Sequence, residues 1–164
     1  MKELKTPVIQ IYTDGSCHTQ KRVGGWAAVI LLKENLVKLK GHVLDTTHNA
    51  MEILAVLKAL DYIEQKKIPF SKIEIISDSQ YVVRIIERKE KLQKANFLTK
   101  KNQAIRNVNL VKNLISRIES MPLKFFKIKA HLKKTDKINY NRVVDHLARN
   151  EVRKITNKNK DINT

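Results

Sequence analysis

A mixed five-stranded α/β sheet, three antiparallel strands followed by two parallel ones and flanked by helices, is the architecture this sequence predicts. Three observations carry that prediction. Three short β-type segments follow one another before residue 45. The apolar spacing then switches to a helical period of about 3.6 residues. From there, strand-like and helix-like segments alternate to the end of the chain, a pattern that calls for crossover connections and parallel pairing.

Val8–Thr13 (VIQIYT) is β-branched and aromatic and ends at the turn signal Asp14-Gly15, so it reads as a first strand. Gly25–Leu32 is a continuous apolar run that suits a buried strand. Leu36–Leu44 (LVKLKGHVL) alternates and suits a half-exposed one, with Glu34-Asn35 as the turn between them. Between Thr47 and Lys66, the apolar residues Ile53, Val56, Leu57, Leu60 and Ile63 make one helical stripe, with Pro69 just beyond its end. Lys72–Ser77 (KIEIIS) reads as a strand and Ser79–Glu87 as a helix. Lys101–Ser120 reads as another helix, striped by Ile105, Val108, Val111, Leu114, Ile115 and Ile118. Leu123–Ala130 closes the set of strands and Asn141–Lys154 the set of helices. Residues 155–164 lack apolar periodicity and read as a frayed tail. A single domain over 1–164 is expected, with its core at about 8–154 and a basic protrusion at about 88–106.

Composition narrows the function classes. The 164 residues carry 33 Lys+Arg against 16 Asp+Glu, a formal net charge of +17, and 42% are hydrophobic. Apolar runs such as Trp26–Leu32 argue against disorder. The first ten residues show no secretory signal, and no segment approaches the roughly 20 apolar residues that span a bilayer. The single cysteine, Cys17, excludes an internal disulfide framework and fits a reducing compartment, so a cytoplasmic location is expected. The positive surplus points to a polyanion, most often nucleic acid. It is concentrated: residues 84–117 hold ten Lys/Arg against two acids, a net of +8. This segment reads as a polyanion groove rather than a balanced solvated face, giving affinity without sequence preference.

Four acids stand at ends of elements, where sheets of this kind carry their chemistry. Asp14 ends the first strand, Glu52 lies early in the first long helix, Asp78 follows the fourth strand and Asp145 lies early in the last helix. Each has an ordinary structural use. Asp14 before Gly15 suits a tight turn, and Asp78 could cap a helix. Glu52 and Asp145 could complement helix dipoles, and Asp145 could pair with Arg149 one turn away. If the four converge, their repulsion calls for cations, and an all-oxygen carboxylate set selects hard ions such as Mg²⁺.

Four segments resemble type 1 ribonuclease H: YTDGSC at 12–17 with GGWAAVI at 24–30, THNAMEI at 47–53, SDSQYV at 77–82, and KAHLKK…NYNRVVDHLA at 129–148. The similarity spans roughly 8–154 in the family's order. It implies the ribonuclease H-like fold and an endonuclease that hydrolyses the RNA strand of RNA–DNA hybrids, leaving 5′-phosphate and 3′-hydroxyl ends. By resemblance, Asp14, Glu52, Asp78 and Asp145 hold two Mg²⁺ ions, with Mn²⁺ able to substitute, and His131 is the mobile-loop histidine that assists proton movement and product release. In two-metal catalysis, one ion lowers the pKa of the attacking water and the other stabilises the departing 3′ oxygen. The resemblance also assigns substrate contacts to backbone groups near Gly15, Ser16 and Cys17, and to Asn49, Gln80 and Glu52. Thr47 and Asn107 would contact DNA-strand phosphates, and Asn141 would support the site. Lys89, Lys91, Lys94, Lys100 and Lys101 of the protrusion would contact the hybrid's backbone.

The chain departs from the family pattern in three places. His48 replaces the first Asn of an Asn-Asn pair, where it could hydrogen-bond to a base edge or sugar. Gln20 stands where Asn is usual. Fourteen residues separate His131 from Asp145, a longer interval than the pattern expects. A free-standing monomer without an additional amino-terminal hybrid-binding domain is expected, removing RNA primers and R-loops. The alternatives are a non-catalytic hybrid- or double-stranded-RNA-binding module on the same fold and a released retroelement domain. The presence of all four acids argues against a pure binder.

Overall fold

The computed structural model of the protein describes residues 5–128 and 138–161. Five strands, β1 (Val8–His18), β2 (Val23–Leu31), β3 (Leu36–Leu44), β4 (Lys72–Ser77) and β5 (Leu123–Lys127), form one sheet in the order β3-β2-β1-β4-β5. β1–β2 and β2–β3 pair antiparallel, whereas β1–β4 and β4–β5 pair parallel. The helices are α1 (His48–Gln65), α2 (Gln80–Glu87), α3 (Lys89–Lys94), α4 (Val108–Ser120) and α5 (Tyr140–Asp161). The sheet is that of the sequence-based expectation: a meander, then two parallel additions.

The two faces of the sheet bury different partners. Ile9, Ile11, Ala28 and Ile30 pack with Ile53, Val56, Leu57, Leu60 and Ile63 of α1 and with Leu114 and Ile115 of α4. All five stripe residues of α1 are fully or almost fully buried, each contributing roughly 1.5–3 kcal/mol of apolar transfer. On the other face, Ala27 and Val29 meet Val144 and Ala148 of α5. Here α5 approaches so closely that a Cβ on Gly25 would lie 2.2 Å from the Ala148 carbonyl oxygen.

Several boundaries differ from the sequence-based expectation, β2 beginning at Val23 and not at Gly25 among them. β1 does not end at Asp14-Gly15 but continues to His18, because β2 pairs with it from Gln10 onward, Asp14 opposite Ala27 and His18 opposite Val23. The reversal falls at 19–22 instead, with Arg22 in the left-handed region (φ 51°) and bonded to Asp45 at 2.6 Å. α4 begins at Val108 rather than Lys101. Asn102 and Asn107 adopt left-handed φ of 59° and 56°, which Asn tolerates but a helix does not. Ile105 lies outside that helix and donates its backbone N–H to Phe97. α5 extends to Asp161, well past the expected Lys154. The spacing Val144, Ala148, Val152, Thr156 keeps one buried residue per turn, and Lys21 Nζ donates to the Thr156 carbonyl at 3.4 Å. The basic stretch after Arg88 forms the short helix α3 and a Leu98–Ala104 bridge. β5 ends at Lys127, and Ala130, where the strand was expected to end, is outside the described residues.

Candidate active site

Strand register brings the first two carboxylates together. The parallel β1–β4 pairing ends at Tyr12 opposite Ile76, and Asp14 and Asp78 each lie two residues further on. The cap of α2 is Ser79, whose Oγ accepts from the Val82 N–H at 3.2 Å. Asp78 is therefore not the N-cap of α2. Glu52 arrives on α1, whose N-cap is Thr47, with its Oγ1 accepting from the Ala50 N–H at 3.2 Å. Gly15 makes the approach possible: a Cβ there would stand 2.6 Å from the Glu52 backbone nitrogen and 2.7 Å from the Met51 carbonyl carbon. Ligand oxygens of Asp14, Glu52 and Asp78 all lie within 4.8 Å of one another.

Asp145 lines the same cleft from the first turns of α5, where Arg149 Nε donates to its Oδ1 at 2.9 Å. It stands outside the tight three-acid group. The cleft is polar, about 460 Å³ in volume, and is lined by Asp14, Gly15, Ser16, Cys17, His48, Glu52, Asp78, Asp145 and Arg149.

Burial and mutual repulsion dominate its electrostatics. Burial, followed by the Asp78 charge, pushes the Asp14 carboxyl up to about 7, although the Gly15 N–H bonded to it at 2.9 Å pulls the other way. Asp145 adds to the upward push. Glu52, 2% exposed, is pushed up to about 9 by burial and then by Asp14 and Asp78. Its Oε2 is buried without a hydrogen-bond partner. A divalent cation would remove both penalties by supplying Oε2 with a partner and neutralising the cluster. The donor set therefore fits divalent metal, and its oxygen ligands suit a hard ion. Burial also raises the Cys17 thiol, which Arg22 partly offsets.

The other residues singled out from the sequence have separate surroundings. Asn49 and Thr47 are exposed beside the start of α1. Gln80 Oε1 accepts from Lys127 Nζ. Asn107 Nδ2 donates to the Tyr81 hydroxyl at 3.4 Å. Asn141 is 7% exposed, with its Oδ1 buried and unpartnered. None of these five lines the cleft. Lys89 pairs with Glu119 at 3.6 Å, whereas Lys91, Lys94, Lys100 and Lys101 are exposed. His131 lies outside the described residues. Arg149, read from the sequence only as a helical partner of Asp145, is itself a wall of the cleft. Among the described residues, no helix is long and apolar enough to cross a membrane.

Comparison with known proteins agrees with this geometry. The family model described as RNase H matches residues 6–153. A ribonuclease H of Thermoanaerobacter sp. (strain X514) is 32% identical over 154 residues, covering 93% of this chain and 94% of that one. A ribonuclease H of Neorickettsia sennetsu is 34% identical over 149 residues, covering 90% and 94%. Among solved structures, LC9-RNase H1, described as a type 1 RNase H with the type 2 active-site motif, matches with a TM-score of 0.72 at 20% identity, covering 92% of this chain and 74% of that one. The foamy viral protease-reverse transcriptase in complex with dsDNA matches with a TM-score of 0.66 at 19% identity, covering 93% and 97%. The sheet order, the carboxylate cluster and a family match over nearly the whole sequence agree, and the chain belongs to the RNase H family.

Proposed function

We propose that the protein is a metal-dependent endonuclease that hydrolyses the RNA strand of RNA–DNA hybrids, leaving 5′-phosphate and 3′-hydroxyl ends. The observation that carries this reading is the approach of Asp14, Glu52 and Asp78 oxygens within 4.8 Å in a polar cleft, with Glu52 Oε2 lacking any protein partner. Asp14, Glu52 and Asp78 would hold Mg²⁺, for which Mn²⁺ can substitute, and Asp145 would complete the site from α5. When bound, such ions lower the pKa of the attacking water and neutralise charge on the scissile phosphate and the departing oxygen.

The chain's own residues do the positioning. The β1–β4 register sets Asp14 and Asp78 side by side, and Gly15 admits the first turn of α1 against them. Arg149 holds Asp145 by an aligned bond and brings a positive charge to the cleft wall, where it suits a phosphate. Gly15, Ser16 and Cys17 would face the RNA strand from the floor of the cleft, where the 2′-hydroxyl distinguishes RNA from DNA. His131 would assist proton movement and product release. Thr47, Asn49, Gln80, Asn107, Asn141 and the lysines of the protrusion would supply the flanking contacts. The protein would act as a monomer in the cytoplasm, removing RNA primers and R-loops.

An end-labelled hybrid incubated with and without EDTA tests this. The expected outcome is RNA-strand cleavage that needs divalent metal, with the DNA strand and duplex DNA spared. Metal-dependent binding without turnover would overturn it.

A further inference from the structure

His48 opens α1 one helical turn before Glu52, and its Nε2 lies 3.2 Å from Glu52 Oε1. Its imidazole lines the same cleft as the carboxylates. The contact differs from the Arg149–Asp145 pair, which is an ion pair and an aligned hydrogen bond together. His48 and Glu52 approach to ion-pair distance without that alignment. The separation is close to that of two adjacent donors on one ion, about 3.0 Å when each is about 2.1 Å from the metal. Independently, Glu52 Oε2 is buried and unpartnered, and one carboxylate oxygen of Glu52 lies within 4.8 Å of oxygens of Asp14 and Asp78, a group that His48 borders through Glu52 without belonging to it. The side chain of His48 is more than half exposed, so it can turn toward an ion without disturbing the core.

We propose that His48 adds an imidazole nitrogen to the carboxylate cluster, so that the cleft binds Co²⁺ and Mn²⁺ more tightly than the carboxylates alone would, with little gain for Mg²⁺. A mixed nitrogen–oxygen set follows the Irving–Williams order more steeply than oxygen alone, because imidazole contributes little to a hard ion that holds its water. This gives His48 a role different from contact with a base edge or sugar. It rests on the reading of Asp14, Glu52 and Asp78 as a metal site.

Calorimetric titration of the whole protein with MnCl₂, CoCl₂ and MgCl₂ tests it, above the ordinary imidazole range so that the ring is neutral. The variants are His48→Asn, His48→Gln and Asp14→Asn, each checked for its fold by circular dichroism. His48→Asn is expected to weaken Mn²⁺ and Co²⁺ binding by about tenfold or more and Mg²⁺ binding by less than about twofold, on the scale set by single donors around a metal. The visible spectrum of the Co²⁺ form should shift in the same variant. Equal affinities in wild type and His48→Asn would overturn the proposal. So would an equal loss for all three ions that His48→Gln restores, since that marks a hydrogen bond to Glu52. Asp14→Asn separates the two levels. If it abolishes metal binding while His48→Asn changes nothing, the role of His48 alone fails; if it leaves Mg²⁺ binding intact, the metal-site reading fails with it.

Discussion

Glu52 carries a large electrostatic cost, and the cost predicts a pH dependence. Its carboxyl is pushed from an ordinary 4.5 to about 9 by burial and by its acidic neighbours. The folded state therefore keeps a proton that the unfolded chain has lost, so metal-free stability falls as pH rises from about 4.5 and levels off above about 9. Glu52→Gln should flatten that slope and raise metal-free stability near pH 8 by roughly 1–3 kcal/mol, while abolishing cleavage. Thermal melts across pH in EDTA check both, and an unchanged slope in Glu52→Gln would contradict the assignment. At this scale the sequence was legible in part. Asp14, Glu52, Asp78 and Asp145 stand out by position, but no spacing says that Ser79 caps α2 or that Glu52 Oε2 is left without a partner. Those facts depend on side-chain geometry across elements, as does the place of Arg149 in the cleft wall.

Two helices deliver acids to the end of the sheet, and each depends on a local device. For α1 the device is Gly15. A methyl group there would overlap the backbone of Met51 and Glu52, so Gly15→Ala should destabilise the fold by roughly 1–3 kcal/mol and weaken divalent-metal binding. Denaturant unfolding and metal titration measure the two effects. For α5 the device is Glu151, 6% exposed and paired with Lys154 at 2.7 Å and with Lys40 and His42 of β3 at 3.8 Å each. Burial pushes its carboxyl up, but the Lys154 bond and the charges of Lys154, Lys40 and His42 outweigh it and hold the group below its ordinary 4.5. A lowered folded value adds stability that is present above 4.5 and lost as pH falls through the folded value. Glu151→Gln should remove that acid-side loss and cost about 1–3 kcal/mol at neutral pH, read from melts of both proteins. Apolar periodicity located the stripe of α1, because every stripe residue serves one packed face. It overextended α4, because Ile105 and Val108 share a helical spacing while Asn102 before them and Asn107 between them take left-handed backbone that no helix can hold. It also stopped α5 early, because Thr156 continues the buried face with a polar residue.

The charge of the whole molecule is divided between binding and chemistry. Of the ten basic residues in 84–117, Lys89 and Arg117 are ion-paired, and the other eight have no ion-pair partner among the described residues. Lys112 lies over the Phe97 ring, and the other seven are available to phosphates, so hybrid affinity should fall steeply with salt. Replacing Lys91, Lys94, Lys100 and Lys101 by Ala should weaken binding uniformly across sequences and lower the salt slope by about one per lost contact. Binding isotherms at several salt concentrations check this. The bulk charge of +17 points to a polyanion as a class of partner, but the arrangement of the sheet explains why a basic protein gathers three acids within 4.8 Å. Parallel addition of β4 and β5 was legible from the alternation of strands and helices, whereas the choice of β1 as partner and the register were not, because pairing between distant segments leaves no local pattern. On this reading, the cluster cuts RNA through bound metal. Single-turnover cleavage of a labelled RNA–DNA hybrid by wild type and Asp14→Asn, with hybrid binding measured in parallel, tests it most directly. Metal-dependent RNA cleavage in wild type, lost by about 10³-fold or more in Asp14→Asn with binding retained, is the result expected. Cleavage at the wild-type rate by Asp14→Asn, or cleavage by wild type in EDTA, would contradict it.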